Sequence, residues 1–123
     1  MIIDTSAILA IIFKEKHSDW VAKQMNAHAF DLQMSTVNLA ETLILIEDRQ
    51  PLLFKSLEEE LFSSGIKFVA PDIKQSQLAA QARLKYPLNL GDCFAYALAV
   101  VEKSPILTVD KDFKSIDHPV LLP

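Results

Sequence analysis

Short apolar runs alternate with amphipathic stretches along this chain, which is the pattern of strands separated by helices. Five runs have the composition of buried or edge strands: 1–4, 30–36, 66–70, 106–109 and 120–122. The segments between them predict helices at 5–13, 18–28, 37–49, 52–63, 73–86 and 91–103, with a helical turn at 111–116. This order favours an α/β fold with three layers, α/β/α, around a central, mostly parallel sheet of four to five strands.

Individual residues refine the helix ends. Ser18 is predicted to cap the second helix, and Gly65 to terminate the fourth. In the fifth helix, Leu78, Ala82 and Leu84 are expected to face the core.

Composition limits the possible classes of protein. The 123 residues are 50% hydrophobic and 23% charged, as expected for one globular domain spanning residues 1–123. A single cysteine, Cys93, excludes an internal disulfide and fits a cytoplasmic location, and it is expected to be a small buried hydrophobe. No apolar run approaches the roughly 18 residues of a membrane span. The net charge of −4 counts mildly against a nucleic-acid partner, unless several acids hold cations.

Four acidic residues stand at strand ends or in first helical turns: Asp4, Glu41, Asp92 and Asp110. In a parallel sheet these places share one edge, where ligands bind. Each acid also has an ordinary explanation, as a helix cap, a favourable acid in a first turn or a turn residue. Such an explanation fits Glu41 least well, because apolar neighbours surround it on its helix, where an unpartnered charge is costly.

Converging carboxylates repel one another unless a hard divalent cation lies among them. The expected cofactor is therefore Mg²⁺ or Mn²⁺, with one or two ions, and the expected activity is metal-dependent hydrolysis of phosphodiester bonds.

The segments that carry these acids resemble the PIN-domain family, and within it the VapC-type toxins of toxin–antitoxin pairs. The resemblance covers essentially the whole chain through M-I-I-D-T-S-A-I-L-A, V-N-L-A-E-T, L-N-L-G-D-C-F-A-Y-A-L-A and I-L-T-V-D-K-D-F, of which the third is the most specific. It implies a Mg²⁺- or Mn²⁺-dependent endoribonuclease that attacks tRNA, rRNA or mRNA. It further implies a small antitoxin partner that holds the enzyme inactive, and a homodimer.

The resemblance also assigns roles to residues. Asp4, Glu41 and Asp92 match the family's metal ligands. For the fourth acid, Asp110 fits the T-x-D placement, whereas Asp112, the acid just before the phenylalanine, is the better match to the most similar branch of the family. Asp110 ranks slightly first because it ends a strand. Thr5 or Ser6 is expected to assist by hydrogen-bonding a ligand or the scissile phosphate.

The stretch before L-N-L-G-D carries less positive charge than in similar family members, so RNA contacts are expected elsewhere. The candidate phosphate-binding residues are Lys14, Lys16, His17, Lys111 and Lys114.

Two other functions stay open at this point. A phospho-accepting receiver domain has a similar length and is also built from alternating strands and helices around acids and Mg²⁺, but it needs paired acids after the first strand and an acceptor ending the third. Only Asp72 and Lys111 are loose matches, and Glu41 is left without a role. The other is a PIN-like binding module that has lost catalysis.

Overall fold

The computed structural model describes residues 1–123 and has the predicted alternation of strands and helices. The strands are β1 (Ile2–Ile3), β2 (Gln33–Ser35), β3 (Lys67–Val69), β4 (Ile106–Leu107) and β5 (Val120–Leu121). The helices are α1 (Thr5–Ile12), α2 (Ser18–Ala27), α3 (Thr36–Arg49), α4 (Phe54–Phe62), α5 (Ile73–Lys85) and α6 (Leu90–Glu102). Short 3-10 segments occupy Pro51–Leu53 and Lys111–Ser115. The prediction of a three-layer α/β/α fold is confirmed.

All five strands are parallel and lie in the order β3-β2-β1-β4-β5. The chain builds outward from β1 first through β2 and β3, then on the other side through β4 and β5. A crevice opens at the carboxyl ends of the strands where the order reverses, between β1 and β4. Asp4 directly follows β1, and Asp110 lies three residues beyond β4, so both belong to this crevice.

The central strands β1 and β4 are buried on both faces, because their successive residues point to opposite faces and helices cover each face. Ile2 and Ile106 pack with α5 and α6 on one face. Ile3 and Leu107 pack with α1, α2 and α4 on the other. Burial on both faces explains why these strands are uninterrupted apolar runs in the sequence.

Two details of the helices differ from the sequence prediction. Leu84 is 92% exposed, because the buried face of α5 is formed by smaller and polar side chains at Gln75, Ala79 and Ala82. Leu84 lies two positions beyond Ala82, about 200° around the helix. The N-cap of α2 is His17, not Ser18, and it makes no side-chain capping bond.

No helix combines the length and the apolar character that crossing a bilayer requires.

Candidate active site

A cavity of about 200 Å³ opens at the carboxyl edge of the sheet and contains most of the acids singled out by the sequence. Its lining residues are Asp4, Thr5, Ser6, Leu9, Glu41, Leu45, Asn89, Asp92 and Asp110. We call this cavity the acidic pocket. The end of β1, helix α3, the start of α6 and the segment after β4 each contribute one carboxylate to it.

Asp4 is 1% exposed and is held through one carboxylate oxygen. Its Oδ2 accepts hydrogen bonds from Ser6 Oγ (2.7 Å), Thr108 Oγ1 (2.8 Å) and Ser6 N (3.3 Å). The last bond makes Asp4 the N-cap of α1, so the ordinary explanation is correct for this oxygen. The other oxygen, Oδ1, is buried and has no hydrogen-bond partner. Burial raises the pKa of Asp4 above its usual value, although the bonds from Ser6 and Thr108 oppose the shift.

Glu41 is also held through one oxygen. Its Oε1 accepts hydrogen bonds from Thr5 Oγ1 (2.7 Å) and Asn38 Nδ2 (3.0 Å), whereas Oε2 accepts none within the chain. The carboxylate lies directly against the backbone of α6 at Gly91, where an added Cβ would stand 2.1 Å from Glu41 Oε2. Only glycine leaves room for this contact between α3 and α6.

Asp92 lies in the first turn of α6 and takes part in a capping box with Asn89. Asp92 Oδ2 accepts from Asn89 N (3.2 Å), and Asp92 N donates to Asn89 Oδ1 (2.8 Å), which leaves Asp92 Oδ1 without a hydrogen bond. Burial, followed by the negative charge of Asp4, raises the pKa of Asp92 to about 7. Asp92 therefore titrates close to neutral pH.

The two candidates for the fourth acid occupy different environments. Asp110 lines the acidic pocket and caps the 3-10 segment, with its Oδ1 accepting from Asp112 N at 2.9 Å. Asp112 is exposed, makes no side-chain hydrogen bond and does not line the pocket. The placement favours Asp110, and its role as a ligand stays a prediction.

No positively charged side chain balances the acidic pocket. The one ion pair in the chain joins the Met1 ammonium group to Asp31, away from these acids. The charges of Asp110 and Glu41 contribute to the raised pKa of Asp92, so the carboxylates affect one another. No three acidic, histidine or cysteine side chains lie close enough to hold a metal ion as they stand. The carboxylates instead line an open pocket, in which like charges face each other.

The residues present nevertheless fit a hard divalent cation. The donors are carboxylate oxygens, which Mg²⁺ and Mn²⁺ prefer. The buried, unpartnered Oδ1 of Asp4 is the strongest single indication, because leaving such an atom unpaired is costly.

Sequence reasoning missed three residues that orient the acids: Asn38, Asn89 and Thr108. Asn38 and Thr108 are fully buried, and each hydrogen-bonds a pocket carboxylate. A signal existed for two of them. Asn38 stands three residues before Glu41, on the same helix face, and Thr108 stands two before Asp110, on the same side of an extended segment.

Several other predicted residues lie outside the acidic pocket. None of the candidate phosphate-binding residues Lys14, Lys16, His17, Lys111 and Lys114 lines it, and their role stays a prediction. Asp72 caps α5 and is exposed, so it is not the acceptor that a receiver domain needs. Cys93 is fully buried, as predicted.

Comparisons with known proteins agree with this fold. A family model described as the PIN domain matches residues 1–119. VapC ribonuclease Mb2780c of Mycobacterium bovis is 35% identical over 126 aligned positions, covering 95% of this chain and 95% of the relative. Ribonuclease VapC of Mycolicibacterium smegmatis is 36% identical over 128 aligned positions, covering 95% of this chain and 96% of the relative.

Solved structures of low sequence identity share the fold. VapC20 of Mycobacterium tuberculosis, described as a Sarcin-Ricin loop cleaving toxin, superposes with a TM-score of 0.80 at 16% identity, covering 99% of this chain and 98% of that one. VapBC2 of Rickettsia felis, bound to a promoter DNA fragment, superposes with a TM-score of 0.80 at 17% identity, covering 99% of this chain and 97% of that one.

Proposed function

The chain belongs to the PIN-domain family, and from that premise we propose that it is a Mg²⁺- or Mn²⁺-dependent endoribonuclease, the toxin of a toxin–antitoxin pair. The ribonuclease assignment follows the relatives that are about one-third identical over nearly their whole length. The cytoplasmic location remains an expectation from the sequence.

One structural observation supports the metal-dependent part of the proposal most strongly. Each of the four pocket acids, Asp4, Glu41, Asp92 and Asp110, gives one oxygen to hydrogen bonds within the chain and leaves the other free of them. The bonded oxygen fixes the orientation of the carboxylate, and the free oxygen is available as a ligand. These four acids would hold the ion or ions.

A bound divalent cation would supply Lewis-acid chemistry, activating water toward phosphorus and offsetting negative charge on the scissile phosphate. The side chains of this protein prepare the site for that chemistry. Thr5 and Asn38 orient Glu41, while Ser6 and Thr108 orient Asp4.

A bound ion would compete with a proton at Asp92 near neutral pH. The raised pKa of Asp92, about 7, means that, near neutrality, a large fraction of molecules without a cation carry this proton. A coordinating carboxylate has to be ionised, so binding of a cation here would release the proton. Affinity for Mn²⁺ is therefore expected to rise with pH across neutrality.

Cleavage of RNA by purified, partner-free protein tests the proposal. Total tRNA and rRNA are incubated with protein in Mg²⁺, in Mn²⁺ or in EDTA, beside the Asp92→Asn variant purified in the same way. Internal cuts that require the cation and disappear in the variant are expected. Cleavage that persists in EDTA and in the variant would point to a contaminating nuclease. Tight Mn²⁺ binding without cleavage of any RNA would favour the inactive binding module.

The antitoxin partner and the homodimer are proposals that rest on the family. The surface offers apolar area for such contacts: two cavities between α1 and α4, of about 170 and 520 Å³, share Ile11, Ile12, Leu57 and Glu60. Coexpression with the product of the neighbouring gene tests the first proposal, and light scattering of the purified chain tests the second. A protein that neither copurifies with that product nor forms a dimer would contradict both.

A further inference from the structure

We propose that Asn38 is a positioning residue of the acidic pocket, whose side-chain amide fixes the Glu41 carboxylate relative to the start of α6. The inference rests on the proposed function, because it concerns how Glu41 is presented to a cation. Asn38 lies in the first turn of α3, three residues before Glu41.

The geometry shows one amide group joining three elements. Asn38 Nδ2 lies 3.0 Å from Glu41 Oε1 in α3, 3.0 Å from the carbonyl oxygen of Gly91 in α6, and 3.2 Å from Thr5 Oγ1 in α1. Thr5 Oγ1 donates its own proton to Glu41 Oε1 at 2.7 Å, so it can only accept from Asn38. The amide therefore ties both Glu41 and its hydroxyl partner to the helix that carries Asp92.

Packing alone does not account for an asparagine at this position. The side chain is fully buried, and its Oδ1 has no hydrogen-bond partner. A buried polar atom without a partner destabilises the fold, and an apolar side chain of similar size would avoid that cost. What only the amide supplies is a pair of N–H donors directed at Glu41 and at Gly91.

The hydrogen bond from Asn38 holds the same carboxylate oxygen of Glu41 as the bond from Thr5. Asn38 and Thr5 both bind Glu41 Oε1, which leaves Oε2 free of hydrogen bonds. Without the amide, Glu41 would keep one of its two donors, and it would lose its shared link to the carbonyl oxygen of Gly91. The carboxylate would then sample orientations in which Oε2 leaves the pocket.

Two substitutions separate positioning from structural support. Asn38→Ala removes the amide and leaves a gap, whereas Asn38→Leu removes the amide and fills the space. The matched control is Gln75→Ala, because Gln75 is another buried amide, 4% exposed, whose Oε1 also lacks a partner and which lies outside the acidic pocket.

Mn²⁺ affinity is measured by isothermal titration calorimetry, and melting temperature is measured without metal. Loss of a residue that orients a metal ligand typically weakens affinity by about 10- to 100-fold, and both Asn38 variants are expected in that range. Asn38→Leu is expected to melt no lower than the parent, so its loss of Mn²⁺ affinity would not come from a loss of stability. Gln75→Ala is expected to melt lower and to bind Mn²⁺ as the parent does.

Kinetics with RNA supply a second readout. Both Asn38 variants are expected to lower kcat and leave the KM for RNA unchanged, since the fully buried Asn38 is out of reach of RNA. Thr5→Val removes the other donor to the same oxygen and is expected to act likewise, whereas Thr5→Ser keeps the hydroxyl and restores the parent values.

The outcomes distinguish this inference from the proposed function. If the parent binds Mn²⁺ and Asn38→Leu binds it equally well, the inference is overturned and the proposed function stands. If the parent binds no Mn²⁺, both are overturned.

Discussion

Replacement of Gly91 by alanine perturbs the acidic pocket where two helices are closest. An added Cβ would stand 2.1 Å from Glu41 Oε2, 2.3 Å from Oε1 and 2.4 Å from Cδ. Ordinary van der Waals contact begins at 3.4 Å, so the nearest oxygen must retreat from 2.1 to 3.4 Å, a shift of about 1.3 Å. The atoms that obstruct the methyl group belong to the end of a flexible side chain, so the side chain is expected to move and the backbone to stay.

The fold should tolerate this change. Gly91 lies in the first turn of α6, and the positive φ among the glycines belongs to Gly65, so alanine suits the backbone at position 91. Alanine also favours a helix over glycine by up to about 1 kcal/mol. The melting temperature without metal is therefore expected to be equal to that of the parent or slightly higher.

Activity should fall sharply in the same variant. A retreat of about 1.3 Å breaks the bonds from Thr5 (2.7 Å) and Asn38 (3.0 Å) and takes the Glu41 carboxylate from its position in the pocket. A misplacement of about 1 Å in a catalytic constellation can cost about 10²-fold in rate. We expect Gly91→Ala to cut RNA about 10²-fold more slowly than the parent.

Single-turnover cleavage of a labelled RNA in Mn²⁺, followed on denaturing gels, gives the rate. The control places Gly91→Ala in a Glu41→Ala background, where no carboxylate remains to be displaced and no further loss of rate or Mn²⁺ affinity is expected. A Gly91→Ala variant that melts like the parent and cleaves RNA at the parent's rate would refute the reasoning, because the position of Glu41 against Gly91 would then not matter for cleavage.

Three further predictions concern the other acids. Since the folded-state pKa of Asp92, about 7, lies above the value of 3.8 expected when unfolded, its contribution to stability is complete below pH 4 and is lost as pH rises through 7. Without metal, the melting temperature of Asp92→Asn should therefore fall less than that of the parent over this pH range, and its free energy of unfolding at neutral pH should be higher by an amount on the order of a few kcal/mol. A variant that melts well below the parent at neutral pH would mean that Asp92 is structural. Asp110→Asn is expected to abolish most RNA cleavage and Asp112→Asn to leave the rate nearly unchanged, and the reverse ranking would exchange their roles. Thr108→Val removes a donor to buried Asp4 and is expected to weaken Mn²⁺ affinity by about tenfold in calorimetry; unchanged affinity would show that the remaining bonds from Ser6 hold Asp4 alone.

The sequence was sufficient to predict which acids share a pocket, because the direction of the strands and the positions of the helix starts determine the placement of three of them. Asp4 and Asp110 follow parallel strands that are neighbours in the sheet, and Asp92 begins a helix at the same edge. Glu41 was identified by its unfavourable surroundings on an apolar helix. None of these inferences needed a side-chain conformation.

The hydrogen-bond partners of the acids could not be predicted in the same way. Whether Asn38 reaches Glu41, Gly91 or solvent depends on the distance between α3 and α6, which the packing of distant residues sets. The wrong prediction for Leu84 has a related cause. Small residues such as Ala79 and Ala82 form the buried face of α5, so the large side chains do not mark that face in the sequence.

The chemistry of those partners bears on metal binding. Hydroxyl, amide and backbone N–H groups orient the pocket carboxylates, and no lysine, arginine or histidine forms an ion pair with them. A cationic partner would orient a carboxylate equally well, but it would also cancel the negative potential and compete with an incoming ion. Neutral donors fix the orientation of the carboxylates without cancelling their negative charge. The pocket therefore keeps its attraction for a divalent cation, and the negative charges of the neighbouring acids add to burial in raising the pKa of Asp92.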